Sequence, residues 1–393
     1  MKRDTLERAR ALGAWAYLPE APLPGQADGT LAGLSFTAKD LYGVPGWPLR
    51  ASTAAPLPEV GESPLVRTLL NAGATLLGKT HLHEIALGIL GHNPVWGSAR
   101  NPLDPERITG GSSSGAAIAA ALGIGDFALG TDTGGSIRIP AALCGVLGFK
   151  PTYGLYPTEG VLPLSGSCDH AGPLARDLEV IHRVHTTVTG QTVLSTDWSS
   201  LRVGLWQVPG WMTPQTRAAL DTFARRLEDR GAVTATFAFP DVMDTYAPVV
   251  QYEAARIHQQ ALSLEEPGFG PGTLALLRRG AALSEADYHA ALRRRDALRA
   301  HLSELFGSFD LLLAPTVPSP APLIGQEDLE LPEGTVPLRQ AFLRLTAPWS
   351  LLGVPVLSVP LPLGPLSVGA QLIAPWGQDA RLLGLALNLE ETV

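Results

Sequence analysis

The sequence predicts an α/β fold in which strands and helices alternate along one large domain, residues 1–393. The first observation is composition, because 45% of the residues are hydrophobic and 17% are charged, as in a well-buried globular enzyme. The second is patterning, since strand-like alternation and helix-like spacing follow one another along the chain. The third is continuity, because no internal repeat and no linker-like change of composition divides the chain.

Charge, hydropathy and cysteine content exclude several classes of protein. The net charge is −8, and the one basic run, residues 293–295, lies in a helical pattern, so we expect no nucleic-acid surface. No run approaches the roughly 20 apolar residues of a membrane span, and the charged start has no apolar signal core. We therefore expect a cytoplasmic protein without a membrane partner. Two cysteines, Cys144 and Cys168, are too few for a disulfide framework.

The first part of the chain reads as a short helix and a loop, followed by a strand. Residues 1–30 give the helix and a loop rich in proline and glycine. Residues 34–42 alternate apolar and polar side chains like a strand, which puts Lys39 and Asp40 on opposite faces. A helix, a second strand and a set of loops follow at residues 63–72, 75–80 and 91–109.

Residues 109–138 hold eight glycines and four serines, arranged as two turns around buried elements. Between the turns lies an alanine-rich run, residues 116–122, whose uniformly apolar surface predicts a buried helix. A short apolar piece, residues 127–130, precedes the second turn. Free backbone N–H groups at such turns can stabilise negative charge, which suggests a catalytic site. Two ordinary tight turns are the alternative.

The second half predicts a loop and then another α/β block. The loop covers residues 151–177, and the block covers residues 200–393. Strands are expected at 201–206, 233–239, 310–314, 354–359 and 367–373, and an extended loop at 315–337. Helices are expected at 215–230, 252–263, 285–306 and 379–390.

Three local patterns suggest other chemistries. Ser113 is the centre of a G-x-S-x-G motif, but that nucleophile elbow needs a histidine near the C-terminus, and the last histidine is His301. Residues 73–80 match a phosphate-loop pattern, although a helix precedes them and they continue as a strand, the reverse of what that loop requires. His81 and His83 could bind a metal on one strand face, but no other histidine has a companion spacing.

A serine nucleophile with a lysine base is the remaining possibility. For Lys39 to act as a base near neutral pH, its pKa of ~10.4 must fall to near 7, which costs ~4 kcal/mol. Burial of the strand beneath the glycine turns could supply that shift. An exposed strand lysine is the simpler interpretation of Lys39 taken alone.

Three motifs together resemble the amidase signature family: Thr109-Gly-Gly-Ser-Ser-Ser-Gly, Gly130-Thr-Asp-Thr-Gly-Gly-Ser-Ile-Arg-Ile-Pro-Ala and Cys144-Gly-Val-Leu-Gly-Phe-Lys-Pro-Thr-Tyr-Gly. The likeness extends over most of residues 30–390, with further similar stretches at 36–40, 71–80, 309–316, 353–361 and 368–373. It implies a large mixed, mostly parallel twisted sheet covered by helices, with the core signature in residues 31–177.

The resemblance also implies a set of site residues. Ser136 aligns with the nucleophile, Lys39 with the base, and Ser112 with a bridging serine that sits in an unusual cis peptide. The oxyanion is then expected to bind four backbone N–H groups, those of Thr133, Gly134, Gly135 and Ser136. Loss of one such donor in other enzymes costs roughly 3–4 kcal/mol. Asp132 and Arg138 are expected to brace the turn rather than take part in the chemistry.

The chain departs from the commoner family pattern at Ser114, which takes the place of a glycine. Together with the short chain, this resembles the compact branch that includes indole-acetamide hydrolases. We expect a stand-alone amidase that acts on a small-molecule amide without metal or cofactor. The alternatives are a non-catalytic amidase-like binding scaffold and a glutamine-dependent amidotransferase A-like subunit. A homodimer is compatible with an enzyme of this size, but the sequence does not fix the oligomeric state.

Overall fold

An eleven-stranded mixed sheet runs through the structure, a computed structural model that describes residues 3–390. In chain order its strands are β1 Trp15–Tyr17, β2 Ser35–Lys39, β3 Thr75–Thr80, β4 Phe127–Asp132, β5 Leu147–Lys150, β6 His170–Ala175, β7 Arg202–Trp206, β8 Val233–Phe237, β9 Leu311–Pro315, β12 Val356–Leu363 and β13 Leu366–Ile373. A separate hairpin pairs β10 Asp328–Leu331 with β11 Gly334–Pro337.

The strands lie side by side in the order β1-β3-β2-β4-β6-β5-β12-β13-β9-β7-β8. Parallel pairs occur towards the two edges, β3 with β2 and β2 with β4 on one side and β9 with β7 and β7 with β8 on the other. The strands between them are antiparallel. The α/β class with a large mixed sheet covered by helices is thus confirmed, and strands of both predicted blocks join where β5 pairs with β12.

Twelve α-helices and one short 3-10 helix, Glu84–Ala86, are found in the described part of the chain. The α-helices are α1 Arg3–Ala11, α2 Pro64–Asn71, α3 Ser114–Leu122, α4 Arg138–Cys144, α5 Leu178–Thr189, α6 Pro214–Asp229, α7 Met243–Ile257, α8 Gln259–Leu262, α9 Pro271–Ala282, α10 Glu285–Ser308, α11 Leu338–Leu351 and α12 Asp379–Glu390. Their ends follow local chemistry. Ser63 caps α2, with Pro64 at its first turn, and α10 begins with a capping box formed by Ser284 and Asp287. No helix within residues 3–390 is both long and apolar enough to span a membrane.

The alanine-rich helix is buried as predicted, because α3 is almost fully enclosed and ends at Gly123 with a left-handed backbone. Small side chains let it pack closely against α4, β4 and β6. Both glycine-serine turns therefore start from rigid, enclosed elements. This arrangement fixes the position of the backbone on either side of each turn.

The loop predicted over residues 151–177 is wrong at its end, where β6 occupies the middle of the sheet. Gly172 and Pro173 in this strand resemble turn residues. Gly172 is needed there because a Cβ at that position would lie 2.1 Å from the Phe149 carbonyl oxygen. The predicted extended loop over residues 315–337 is likewise wrong in part, since it contains the β10–β11 hairpin. Residues 1–30, predicted as a helix and a loop, also contain β1, so that prediction is wrong in part. Five further elements have no sequence prediction: α4, β5, α5, α9 and α11.

Candidate active site

Lys39 is the last residue of β2 and is fully buried between β3 and β4. Its Nζ donates to Ser112 Oγ and to Thr131 Oγ1, each at 2.7 Å. Burial lowers the pKa of Lys39 to about 7, against the opposing effect of the Asp132 and Asp169 carboxylates. The amine is therefore substantially uncharged at neutral pH and is held against a serine hydroxyl.

Alternation along β2 explains why Lys39 has no carboxylate partner. The next residue, Asp40, points the other way and pairs with Lys79 Nζ at 2.6 Å, as the strand pattern predicts. Lys79 also donates to the Pro48 carbonyl oxygen. Residues 73–80, which match the phosphate-loop pattern, therefore form the turn after α2 and the strand β3. The lysine of the pattern, Lys79, belongs to a buried ion pair.

Ser112 lies at the turn that leads into α3, and the Gly111–Ser112 peptide bond is cis. Its side chain is fully buried, and its carbonyl oxygen accepts from the His83 backbone N–H at 3.1 Å. The following residue, Ser113, donates its backbone N–H to the Ser136 carbonyl oxygen at 3.1 Å. The two glycine-serine turns are thus hydrogen-bonded to each other.

Ser136 follows β4 in the turn formed by residues 133–136, and only 3% of it is exposed. Its hydroxyl forms no hydrogen bond within residues 3–390, so the side chain is free to meet a ligand. Side-chain contact therefore joins Lys39 to Ser112, whereas Ser136 is joined to them through the backbone of its own turn.

The N–H groups of this turn are not equivalent. Gly135, at φ +128°, donates its N–H to Asp132 Oδ1 at 2.8 Å. The N–H groups of Thr133, Gly134 and Ser136 have no acceptor within the described chain. A Cβ at Gly134 would lie 2.1 Å from Tyr246 Oη, which explains the glycine there. Three backbone donors are left for an anionic ligand.

Asp132 and Arg138, at the two ends of the turn, form a fully buried ion pair with Nη2–Oδ1 at 2.8 Å and Nε–Oδ2 at 2.9 Å. Burial would raise the pKa of Asp132, but Arg138 outweighs it and holds that pKa below the ordinary value. Arg138 also donates to Thr346 O, Gln371 Oε1 and Ser350 Oγ. This pair ties the turn to α11 and β13.

Sequence reasoning missed several residues around the turn. Thr131 is the second acceptor for Lys39. The sequence held one signal for it: side chains alternate along β4, so Thr131 and Thr133, which follows the strand, are expected on the same face. Asp169 accepts from Thr133 Oγ1 at 2.6 Å, and burial raises its pKa to about 6. Thr346 Oγ1 donates to Gly134 O at 2.5 Å. Nothing local in the sequence connects residues 169 and 346 with this turn.

Of the other candidate residues, Ser113 and His81 have hydrogen-bond partners. Ser113 Oγ donates to Thr131 O at 3.1 Å, which is a bracing contact. His81 bonds Ser52 Oγ through Nδ1 and the Gly97 carbonyl oxygen through Nε2, while His83 Nδ1 is buried without a partner. Among residues 3–390 no three histidine, cysteine or acidic side chains are grouped to hold a metal ion. The extra hydroxyl of Ser114 is buried without a hydrogen bond.

A small cavity of about 60 Å³ reaches the site, lined by Thr131, Thr133 and Asp169 together with apolar side chains. A larger cavity of about 770 Å³ shares Pro163 and Gly166 with it. The loop that carries these two residues thus lies between the enclosed site and an open, partly charged surface.

Comparison with known proteins identifies the family. The Amidase family model matches residues 5–383. A 2-amino-5-chloromuconic acid deaminase of Comamonas testosteroni is 34% identical, over 99% of this chain and 88% of that protein. A glutamyl-tRNA(Gln) amidotransferase subunit of Thermus thermophilus is 33% identical, over 92% of this chain and 85% of that protein. A crystal structure of an amidase superposes with a TM-score of 0.94 at 42% identity, covering 99% of this chain and 95% of that one. The chain belongs to the Amidase family and has the fold of an amide C–N hydrolase.

Proposed function

We propose that this enzyme hydrolyses a carboxylic acid amide to the acid and ammonia or an amine, through a Ser136–Ser112–Lys39 relay and an acyl-enzyme. One observation carries the proposal. A fully buried lysine with a pKa of about 7 donates to the hydroxyl of Ser112, and the turn of Ser112 is hydrogen-bonded to that of Ser136. A neutral amine in contact with a serine is the arrangement that serine–lysine hydrolases use.

In the first half-reaction, Ser136 Oγ attacks the amide carbonyl carbon. Its proton passes to Ser112 Oγ as the proton of Ser112 passes to Lys39 Nζ, which becomes an ammonium group. Collapse of the tetrahedral intermediate breaks the C–N bond, and the same relay returns the proton to the leaving nitrogen. The product is an ester on Ser136 plus free ammonia or amine.

In the second half-reaction, a water molecule gives its proton to the same relay and attacks the ester carbonyl. The C–O bond to Ser136 breaks, the acid leaves, and Ser136 regains its proton. The relay needs no metal or cofactor, because Lys39 supplies the base and the backbone supplies the oxyanion donors. Turnover is therefore expected to survive dialysis against a chelator.

The N–H groups of Thr133, Gly134 and Ser136 are the proposed oxyanion donors. Gly135 is set apart from them because its N–H already donates to Asp132. That hydrogen bond instead keeps the turn in shape, since Asp132 also accepts from the Ile137 N–H. Preorganised donors of this kind stabilise the transition state without reorganisation during the reaction.

Labelling and turnover test the proposal. Wild-type protein should react with a fluorophosphonate probe and release ammonia from at least one of a panel of aliphatic, aryl and amino-acid amides. Ser136→Ala should do neither, although circular dichroism should report an unchanged fold. Ser113→Ala, which removes the centre of the G-x-S-x-G pattern, should still be labelled. A Ser136→Ala protein that turned over amides at the wild-type rate would refute the relay.

An amidotransferase subunit is the second candidate, because a relative at 33% identity has that name. In that case the chain would release ammonia from glutamine and pass it to a partner protein. Co-purification with a second chain from the native host and glutaminase activity would favour this candidate. Light scattering of the purified chain separately tests whether it forms a homodimer.

A further inference from the structure

Helix α11 braces the nucleophile turn with one continuous face. Leu343 Cδ2 would lie 3.1 Å from a Cβ at Gly134, and Thr346 Oγ1 donates to Gly134 O. Ser350 Oγ donates to Asp132 Oδ1 at 2.8 Å. Residues spaced by three and four lie on one side of a helix. Arg339 precedes Leu343 by four residues and so continues this face one turn towards the start of α11.

No carboxylate within residues 3–390 neutralises the charge of Arg339. Its Nε is enclosed without a hydrogen-bond partner, and within residues 3–390 it forms no ion pair. Burial lowers the pKa of its guanidinium, and a second cation, Arg279, acts in the same direction. Tyr246, which lies against Gly134, is the other ionisable group that acts on Arg339. The charge of Arg339 also contributes to lowering the pKa of His83. A half-buried guanidinium whose Nε is enclosed and unpaired still lacks part of its hydrogen bonding.

The two arginines that the fold fully encloses differ in this respect from Arg339, which is half-buried. Arg138 is paired with Asp132, and Arg344, which is 4% exposed, is paired with Glu333. Arg344 also stacks on the Trp211 ring at 4.5 Å. Arg339 therefore stands out as a half-buried cation next to Tyr246, the residue that lies against Gly134, and it has no carboxylate partner within residues 3–390.

We propose that Arg339 binds a carboxylate of the substrate, so that the enzyme acts on amides that also carry a free carboxylate. This inference rests on the proposed amidase function. One helical turn, about 5.4 Å, separates Arg339 from Leu343, and about two turns separate it from Thr346, which donates to Gly134 O; this suits a short spacer between the carboxylate and the scissile carbonyl. Monoamides of small dicarboxylic acids have this form. A guanidinium binds such a carboxylate through two parallel hydrogen bonds, which orient the substrate as well as hold it.

The test compares charged and neutral amides of matched size. Succinamate and butanamide form one pair, with the charge on the acyl side, and N-acetylglycine and N-propylacetamide form the other, with the charge on the leaving side. Wild type should prefer the charged member of one pair, and that pair identifies the side. In Arg339→Gln we expect KM for that anionic amide to rise about 10- to 100-fold, the range for a hydrogen-bonded charge pair. The kcat/KM for the neutral partner should stay within about twofold of wild type, as expected when only uniform substrate binding is lost.

Two further variants separate direct contact from general charge. Arg339→Lys keeps the positive charge but loses the two parallel N–H donors of the guanidinium, so it should retain part of the preference for the anionic amide. Arg279→Gln removes the exposed neighbouring cation and should keep the preference. Equal kcat/KM for both members of both pairs in wild type, or an unchanged preference in Arg339→Gln, would overturn the assignment while leaving the Ser136 chemistry intact. If wild type hydrolyses none of the four, calorimetric binding of succinate decides, and equal affinity in wild type and Arg339→Gln rejects the carboxylate site.

Discussion

Replacing Lys39 with methionine should inactivate the enzyme and at the same time stabilise the fold. Burial lowers the pKa of Lys39 from 10.5 to about 7. Each tenfold change in proton affinity is worth about 1.4 kcal/mol, so the folded state carries this lysine at a cost of about 5 kcal/mol at and below pH 7. Methionine has a similar length and no charge to desolvate.

The gain in stability is partly offset, because two hydroxyl groups lose a hydrogen-bond partner. Ser112 and Thr131 each receive a hydrogen bond from Lys39, and each bond contributes about 1 kcal/mol. The free energy of unfolding of Lys39→Met should therefore exceed that of wild type by about 3 kcal/mol at pH 7. Denaturant unfolding followed by tryptophan fluorescence measures this difference.

The difference should depend on pH with a defined sign. Between pH 7 and 10.5 the unfolded chain binds a proton at Lys39 that the folded state does not hold, so wild-type stability rises with pH through this window. The advantage of Lys39→Met is thus full below pH 7 and falls to zero at about pH 9, where the remaining burial cost equals the roughly 2 kcal/mol of lost hydrogen bonds; near pH 10.5 the variant should be about 2 kcal/mol less stable than wild type. Lys79→Met is the matched control, because it leaves the buried Asp40 unpaired and should destabilise the protein. A Lys39→Met protein less stable than wild type at pH 7 would refute the argument from burial.

Three further predictions concern the same site. Because neutral Lys39 is the proposed base and its pKa is about 7, kcat/KM should rise about tenfold from pH 6 to pH 8 and then level off; a flat profile would exclude this lysine. Asp132→Asn should lower the free energy of unfolding by about 3–5 kcal/mol, since it leaves the buried Arg138 uncompensated, and a loss below about 1 kcal/mol would contradict the ion pair. Gly134→Ala should abolish most activity because its Cβ would meet Tyr246 Oη at 2.1 Å and Cζ at 2.7 Å; adding Tyr246→Ala, which removes both atoms, should restore part of it, and no restoration would point to another cause.

The strands and helices with clear periodicity were predictable, whereas the centre of the sheet was not. Strands β2 and β3 and the buried helix α3 lie where the pattern puts them. Strand β6 was missed because Gly172 and Pro173 look like turn residues, and what makes them suitable is the close approach of β5, a tertiary contact. Helix α11 is apolar on nearly all sides and contains Pro348, so its helical period is hidden.

The site divides in a similar way. The serine turns and Lys39 were singled out from motifs, and their catalytic roles stay predictions until variants are measured. The occupied N–H of Gly135 could not be foreseen, because it depends on which way the Asp132 carboxylate turns. Asp169 and Arg339 are single charged residues far from the motifs in sequence, and only the folded chain puts Asp169 against Thr133 and Arg339 next to Tyr246.

The contacts of Arg138 have a consequence for how the enzyme is made. Three of its hydrogen-bond partners are Thr346, Ser350 and Gln371, which lie 208, 212 and 233 residues further along the chain. While the ribosome is still synthesising the second half, Lys39, Ser112 and Ser136 have all emerged, but the arginine beside them has none of these ligands. Such long-range contacts form late in folding. A nascent or prematurely terminated chain would therefore carry the catalytic residues without a working nucleophile turn, and activity would report that synthesis is complete.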